Sequence, residues 1–283
     1  MLINNETLLR KYLPNAFATV EGEVSLYDKL QPYLQEAENW LKVSVTGKDI
    51  IDQFCEAEEG HTLRGEACRA IICDALMHAV PSLDVVLTPN GFGIVSNQNI
   101  APASKERIER LVNSMEMQRD DAVMHLLKGL RLNPTWHESE VFGYWAQTLL
   151  PNISITAQLG IRDHQFTEYL ALVPRIMQIE AQLANTYIST ELLEHLHRYQ
   201  FGIGYDNYTA AQKGGRAYVI TYLRPEILSQ LRGQPLNEQY MTDLVNVIRS
   251  QPAIFPMWHA SKTAELFAPP VFENKKNAQG YFF

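Results

Sequence analysis

The sequence is poor in cysteine, in positive charge and in long hydrophobic runs, and each shortage excludes a class of protein. Its 283 residues include 24 lysines and arginines against 32 aspartates and glutamates, a formal net charge of −8. Without a basic excess, the chain is unsuited to binding the phosphate backbone of duplex DNA. No apolar run approaches the ~18 residues of a membrane-spanning helix, and no signal peptide is recognisable at the N-terminus. We expect a soluble cytosolic protein with no membrane partner.

The few cysteines indicate a reducing compartment. Cys55, Cys68 and Cys73 are odd in number, so they cannot form a complete disulfide framework. Cys68 and Cys73 also lack the Cys-x-x-Cys spacing of zinc and redox sites. We expect all three to be buried or partly buried small apolar residues.

Catalytic and metal-binding patterns are missing too. His195 and His197 are two residues apart on a predicted helix, whereas metal-binding pairs on helices need spacings of three or four. The segment Lys213–Arg216 has the basic and glycine character of a phosphate-binding loop but lacks the P-loop pattern, and an irregular first helical turn is favoured. No nucleophile elbow occurs. The sequence therefore predicts no catalytic residue, no cofactor and no metal, although it does not exclude an enzyme.

The acidic residues are concentrated at the start of the chain. Residues 1–60 hold 11 acids and 5 bases, a balance of −6, while the segments 61–130 and 131–283 each have a balance of −1. Such a surface is most often a solvated face. It could also repel nucleic acid or dock on a basic partner.

Helical periodicity dominates the first half of the chain. Apolar residues at steps of three and four predict helices over 25–41, with a kink at Pro32, over 63–80, ending at Pro81, and over 102–130. Between the last two, residues 83–96 form two short β-type runs around Thr-Pro-Asn-Gly, which predicts a β-hairpin. Because two strands alone are marginally stable, this hairpin needs cover from its own bundle or from a neighbouring subunit.

The second half is also mostly helical. Helices are predicted near 163–187, 189–201, 210–223, 225–232, 238–250 and 257–266, whereas 267–283 has no helical period. The fold class is therefore mainly α: a helical bundle with a small β-hairpin insertion in the N-terminal half, a second helical region and an extended C-terminal tail. We place the domains at 1–132, 133–266 and 267–283. A faint similarity of plan between the halves is too weak to indicate a repeat.

Aromatic and apolar residues in the non-periodic segments point to protein–protein interaction. The candidate interface residues are Phe92 and Ile94 on the hairpin, and Phe267, Phe272, Tyr281, Phe282 and Phe283 on the tail. Such residues promote association when they are exposed, so they need apolar cover. Docking on the chain's own bundle and docking on a neighbour are equally favoured.

One segment carries a family resemblance. Residues 82–97 read SLDVVLTPNGFGIVSN, and residues 99–108 read NIAPASKERI. Together they resemble an uncharacterised family encoded among the virion structural genes of phages and prophages of gut anaerobes. The resemblance is good over about residues 60–125 and loose elsewhere. The helix–helix–hairpin–helix plan of residues 25–130 is also similar to the head–tail connector (adaptor) proteins of long-tailed phages, which lack the additional residues 133–283.

The resemblance implies a non-enzymatic neck protein. Adaptors of this type form a ring, usually of twelve copies, beneath the portal, so the expected partners are other copies, the portal protein and a tail or second neck protein. DNA would pass through the lumen without specific binding, and the protein would move from the host cytoplasm to the virion. One alternative is another tail-completion or neck component. The other is a soluble helical bundle that binds a small molecule or acts as an enzyme, marked by a deep polar pocket.

Overall fold

The protein is mainly α-helical, as the sequence predicts. The structure, a computed structural model, describes residues 1–13, 24–58, 60–83, 85–88, 91–94 and 104–269. The helices are α1 Glu6–Tyr12, α2 Leu26–Leu41, α3 Lys48–Glu56, α4 Thr62–Leu83, α5 Lys105–Leu130, α6 Pro134–His137, α7 Glu140–Trp145, α8 Ile155–Gln158, α9 Gln165–Leu183, α10 Thr190–Tyr199, α11 Ala210–Leu231, α12 Glu238–Arg249, α13 Pro256–His259 and α14 Lys262–Glu265. Two π-helices, Lys42–Thr46 and Ala184–Ile188, and one 3₁₀ turn, Tyr205–Asn207, complete the helical structure.

The chain divides into two compact units, Met1–Ile176 and Met177–Phe283. The boundary predicted near residue 132 therefore falls inside the first unit. Two indoles that follow the predicted boundary explain the difference: Trp136 donates a hydrogen bond to the Val45 carbonyl at 2.9 Å, and Trp145 donates to the Ser44 carbonyl at 3.0 Å. These contacts join α6 and α7 to the N-terminal helices.

In the first unit, the amphipathic helix predicted over 25–41 forms from Leu26 to Leu41. The Ser25 side chain accepts the backbone N–H of Asp28 and begins α2. Leu30, Leu34 and Leu41 form the buried face of this helix. That face packs on α4, and α4 in turn packs along most of α5. The core of the unit therefore lies between these three helices.

Four prolines lie inside helices, and two of them differ from the sequence prediction in their effect. We expected Pro81 to end α4, but the helix continues to Leu83; we expected a break at Pro225, but α11 is one helix from Ala210 to Leu231. Pro32, Pro81, Pro174 and Pro225 are all exposed. A proline on the solvent side of a helix removes one N–H, and the carbonyl that loses its partner can bond to water. The buried faces therefore hold each helix together.

The segment between α4 and α5 contains two short strands. β1 Val85–Thr88 pairs antiparallel with β2 Gly91–Ile94, with Val85 opposite Ile94. The intervening turn and the side chains of residues 84–103 lie outside the described part of the chain, as does Pro102, the predicted start of α5. Helix α5 begins at Lys105 after Ser104. The hairpin as an insertion with a docking role stays a prediction.

Each unit contains the same helix–π-helix–helix element. In the first unit, α2 continues into the π-helix Lys42–Thr46, and Gly47 with φ 78° turns the chain into α3. In the second unit, the C-terminal part of α9 continues into the π-helix Ala184–Ile188, and Ser189 with φ 68° turns the chain into α10. The closing hydrogen bonds match: Gly47 N–H donates to the Lys42 carbonyl at 2.9 Å, and Ser189 N–H to the Ala184 carbonyl at 2.8 Å.

Each unit also closes this element with the same tryptophan-containing segment. We call residues 133–145 the first cap segment and residues 255–267 the second; both contain the pattern Pro-x-Trp-His-x-Ser. The indole of Trp136 donates to the Val45 carbonyl at 2.9 Å, and that of Trp258 donates to the Tyr187 carbonyl at 2.8 Å. Each acceptor is the fourth residue of its π-helix. The two units therefore repeat one local design, which the faint similarity of helix plan in the sequence was too weak to indicate.

Candidate docking site

The structure describes the side chain of only one of the seven predicted interface residues. Phe92 and Ile94 lie in β2, where the backbone alone is described. Phe272, Tyr281, Phe282 and Phe283 lie outside the described residues. The candidate site is therefore built outward from Phe267, where the predicted tail begins.

Phe267 is half-buried against the second cap segment. Its ring centroid lies 6.2 Å from that of Trp258 and 6.3 Å from that of Tyr187. Its carbonyl oxygen accepts a hydrogen bond of 3.3 Å from Nη1 of Arg249, near the end of α12. The start of the tail is therefore held on the second unit by two aromatic contacts and one charge-assisted hydrogen bond.

A surface groove of about 320 Å³ lies beside Phe267, and we call it the cap groove. The residues that line it include Arg249, Trp258, His259, Ala264, Phe267 and Pro269. This volume is at the small end of the range for ligand sites, so it suits a single side chain rather than a large cofactor. The cap groove is thus a surface bordered by the half-buried ring of Phe267, on which an extended segment can dock.

Short hydrogen bonds fix the floor of the cap groove. Trp258 is 1% exposed, and its N–H is bound by the Tyr187 carbonyl. The Ser261 hydroxyl donates to the Trp258 carbonyl at 2.6 Å and accepts the N–H of Ala264 at 3.3 Å. His259 places Nε2 3.3 Å from the Ile248 carbonyl, which fixes the orientation of its ring. The groove is therefore pre-formed by packing and hydrogen bonding within the second unit.

The acidic N-terminal segment provides a second candidate surface. Asp49, Asp52 and Glu56 are all exposed on α3. Asp52 accepts a hydrogen bond from Lys48 at 2.6 Å, and this bond lowers the pKa of the carboxyl below its usual value. Part of the acidic excess found in the sequence thus lies on an exposed helix, where it can act on approaching charged molecules.

The strongest charge cluster of the first unit is buried and structural. Arg119 is 6% exposed and bonds to Asp120 at 2.8 Å and to Asp74 at 3.1 Å, with Glu116 at 3.5 Å. Burial alone would lower the pKa of Arg119, but the charges of Asp120 and Asp74 outweigh burial and raise this pKa. The pKa of Asp74 is raised as well, because burial disfavours its charged form. The second oxygen of Asp120 accepts the backbone N–H of Phe166 at 3.1 Å. The cluster joins α4, α5 and the start of α9.

A partly buried pair of Arg216 and His195 lies in the second unit. Arg216 Nε donates to His195 Nε2 at 2.6 Å, and its guanidinium carbon lies 4.2 Å from the ring centroid of Tyr208. His195 accepts this bond, so it is neutral here; burial, then Arg216 and Arg198, lowers its pKa to about 4. The segment Lys213–Arg216 is helical and follows a capping box at Thr209. It is a regular early part of α11 rather than a phosphate loop.

The other candidate residues have structural surroundings. His197 bonds through Nε2 to Glu180 at 2.7 Å and does not share a face with His195 as a metal-binding pair would. Among the described residues, no group of three or more His, Cys, Asp or Glu side chains could hold a metal ion. Cys68 and Cys73 are buried, and burial raises the pKa of each thiol to about 11, but Cys55 is exposed, contrary to prediction. Cys55 follows Phe54, whose side chain takes the buried position on α3.

Sequence reasoning missed the cap groove. The signal was present, because the pattern Pro-x-Trp-His-x-Ser occurs at Pro134–Ser139 and again at Pro256–Ser261. Comparing the halves by this motif rather than by helix lengths identifies both segments. Within the described ranges of the chain, no helix is long and apolar enough to cross a membrane.

Comparisons with known proteins give one match. No curated protein matches the chain, and no solved structure matches it. One protein family matches residues 18–144, a span that contains the first helix–π-helix–helix element and nearly all of the first cap segment. Over these residues, the chain is similar to a family of unknown function, DUF6712.

Proposed function

We propose that this protein is a non-enzymatic neck component of a phage virion, a head–tail adaptor that forms a ring between the portal and the tail. Its partners are other copies of itself, the portal protein, and a tail or second neck protein. It resides in the host cytoplasm before assembly and in the virion neck afterwards. Twelve copies per ring is the number that the resemblance of residues 25–130 to adaptors implies.

The arrangement of α4 and α5 is the observation that carries this proposal. The two long helices pack side by side and are joined by ion pairs from Arg69 to Asp121 and from Arg119 to Asp74. Two short antiparallel strands lie between them in the chain. A rigid helix pair offers faces for lateral contacts in a ring, and a β-hairpin between the helices can reach a neighbouring component. This plan supports an adaptor better than a catalyst.

The hairpin and the tail are the docking elements in this proposal. The sequence places Phe92 and Ile94 on the hairpin, and Phe272 and residues 281–283 on the tail, and such residues promote association unless they are covered. Phe267 anchors the start of the tail to the second cap segment, so the residues beyond it begin from a fixed point. Contact with the portal or the tail then buries these aromatic side chains.

The acidic helix α3 has a role in the same proposal. A channel that DNA slides through must not hold the phosphate backbone. Exposed carboxylates such as Asp49 and Glu56 repel phosphate and let it pass. We therefore place the acidic surface of the first unit on the lumen of the ring.

Deleting residues 268–283 tests the docking role. The described core ends at Pro269, so we expect the shortened protein to stay folded, with an unchanged helical circular dichroism spectrum, but to lose binding to its partner. Full-length protein mixed with purified portal is the control. A shortened protein that still assembles normally on the portal contradicts the docking role of the tail. Binding to isolated tails instead of portals favours a tail-completion protein.

A further inference from the structure

The two cap segments differ in the side chain that stands three residues after the serine of the shared pattern. The Ser139 hydroxyl accepts the N–H of Phe142 at 3.3 Å, and the Ser261 hydroxyl accepts the N–H of Ala264 at 3.3 Å. Phe142 and Ala264 therefore occupy equivalent places in the repeated design. One carries a large aromatic side chain, and the other carries a methyl group.

In the first unit, the aromatic side chain covers the cap. The Phe142 ring lies 5.2 Å from Trp136 in an edge-to-face contact and 4.8 Å from His137, centroid to centroid. Edge-to-face aromatic pairs at such distances are favourable beyond the apolar area that they bury. The Trp-His surface of this cap design is therefore built to hold an aromatic ring.

In the second unit, the corresponding surface forms the cap groove. Ala264 lines the groove together with Trp258 and His259, the counterparts of Trp136 and His137. Ala264 carries no ring, and the groove that it lines has an open volume of about 320 Å³. The second cap segment thus has no ring at the place that Phe142 takes in the first, although Phe267 lies against Trp258 from the end of the segment.

We propose that, in the free chain, the aromatic end of its own tail, residues 281–283, occupies the cap groove. Pro269 lines the groove, so the tail starts at the edge of the site, and residues 270–280 separate it from Tyr281. A random coil with this number of residues has a root-mean-square span of about 18 Å, enough to turn back. Short tethers of this kind give effective concentrations in the millimolar range.

The composition of the tail agrees with this assignment. Residues 273–280 read ENKKNAQG, which are polar and suited to a solvated linker, whereas 281–283 read YFF. Docking in cis covers these aromatic side chains, which otherwise promote association. The inference is independent of the neck role. If the tail also binds a partner, its release from the cap groove must precede that contact.

Chymotrypsin cleavage of the full-length protein tests the proposal. The enzyme cuts after aromatic residues, and intact-mass analysis separates cuts after Tyr281 or Phe282 from others. We expect these cuts to be about tenfold faster in Ala264→Phe, which fills the groove as Phe142 does, because each 1.4 kcal/mol changes an equilibrium tenfold. Phe142→Ala is the control, since it empties the equivalent place in the first unit only, and its tail should be cut at the wild-type rate. Equal rates in the wild type and in Ala264→Phe overturn the proposal.

Two further measurements test the proposal if Ala264→Phe misfolds and if the tail comes from a second copy of the chain. A fluorescent peptide of residues 277–283 should bind a full-length variant with alanine at 281–283, and it should not bind wild-type protein, whose groove is occupied. Absence of binding to the alanine variant at millimolar peptide overturns the proposal. Protection of the wild-type tail should not change over a hundredfold dilution. Protection that falls on dilution shows that a second copy supplies the tail, and this overturns docking in cis.

Discussion

Replacing Trp258 by phenylalanine tests the repeated cap design. The substitution removes the indole N–H that binds the Tyr187 carbonyl at 2.8 Å and leaves this buried carbonyl without its donor. An unsatisfied buried polar group costs about 1–3 kcal/mol. The smaller ring also leaves a void at a side chain that is only 1% exposed, which adds about 1 kcal/mol. We therefore expect a total loss of about 2–4 kcal/mol.

The same reasoning applies to the first unit, which provides a matched variant. Trp136 is fully buried and donates to the Val45 carbonyl at 2.9 Å, so Trp136→Phe should cost a similar amount. Tyr144→Phe is the control, because Tyr144 is 71% exposed and should change stability by less than about 0.5 kcal/mol.

Urea denaturation followed by far-ultraviolet circular dichroism measures these effects without relying on tryptophan fluorescence. Hydrogen exchange resolved by peptide shows which unit is destabilised, since each variant should loosen its own π-helix. A loss below about 0.5 kcal/mol for both tryptophan variants would refute the reasoning, because it would mean that neither indole N–H supports its π-helix. A large loss for only one variant would refute the equivalence of the two caps.

Two further predictions concern the buried charges. Burial and Arg216 lower the pKa of His195 to about 4, so the unfolded chain binds a proton on this ring more readily than the folded chain does. The free energy of unfolding should therefore fall by about 1–2 kcal/mol as the pH falls from 6.5 to 4, a figure reduced for the partial exposure of the ring. His195→Gln should remove this part of the pH dependence in urea titrations, and an unchanged profile contradicts the assignment. Arg119→Met leaves Asp74 and Asp120 without their buried partner and should cost about 3–5 kcal/mol in the same assay. A neutral effect would show that the carboxylates are solvated.

Local patterns in the sequence predicted the long helices well. Ser25 and Ser189 were predicted as helix starts, and both side chains accept the N–H three residues later. The sequence wrongly predicted helix ends at Pro81 and Pro225, because it does not show that these prolines lie on the side of the helix that faces water. Helix α3 was missed because nine residues give a short periodic pattern, although Ile50, Ile51 and Phe54 lie on its buried face.

Contacts between distant residues were beyond sequence reasoning. The predicted boundary near residue 132 followed the end of a long helix, but the indoles of Trp136 and Trp145 bond to carbonyls about 90–100 residues earlier. Burial of His195 beside Arg216 likewise depends on how α10 and α11 pack. Alanine at position 264, which lines the cap groove where the first cap segment has phenylalanine, is recognised as a difference only when the two caps are compared.

The most direct test of the neck-adaptor proposal is the mass of the complex that this protein forms with purified portal rings, measured by light scattering and followed by negative-stain imaging. The account predicts a ring of about twelve copies stacked on the portal, whether or not the free protein is a monomer. A protein that stays monomeric and unbound beside intact portal rings would contradict it.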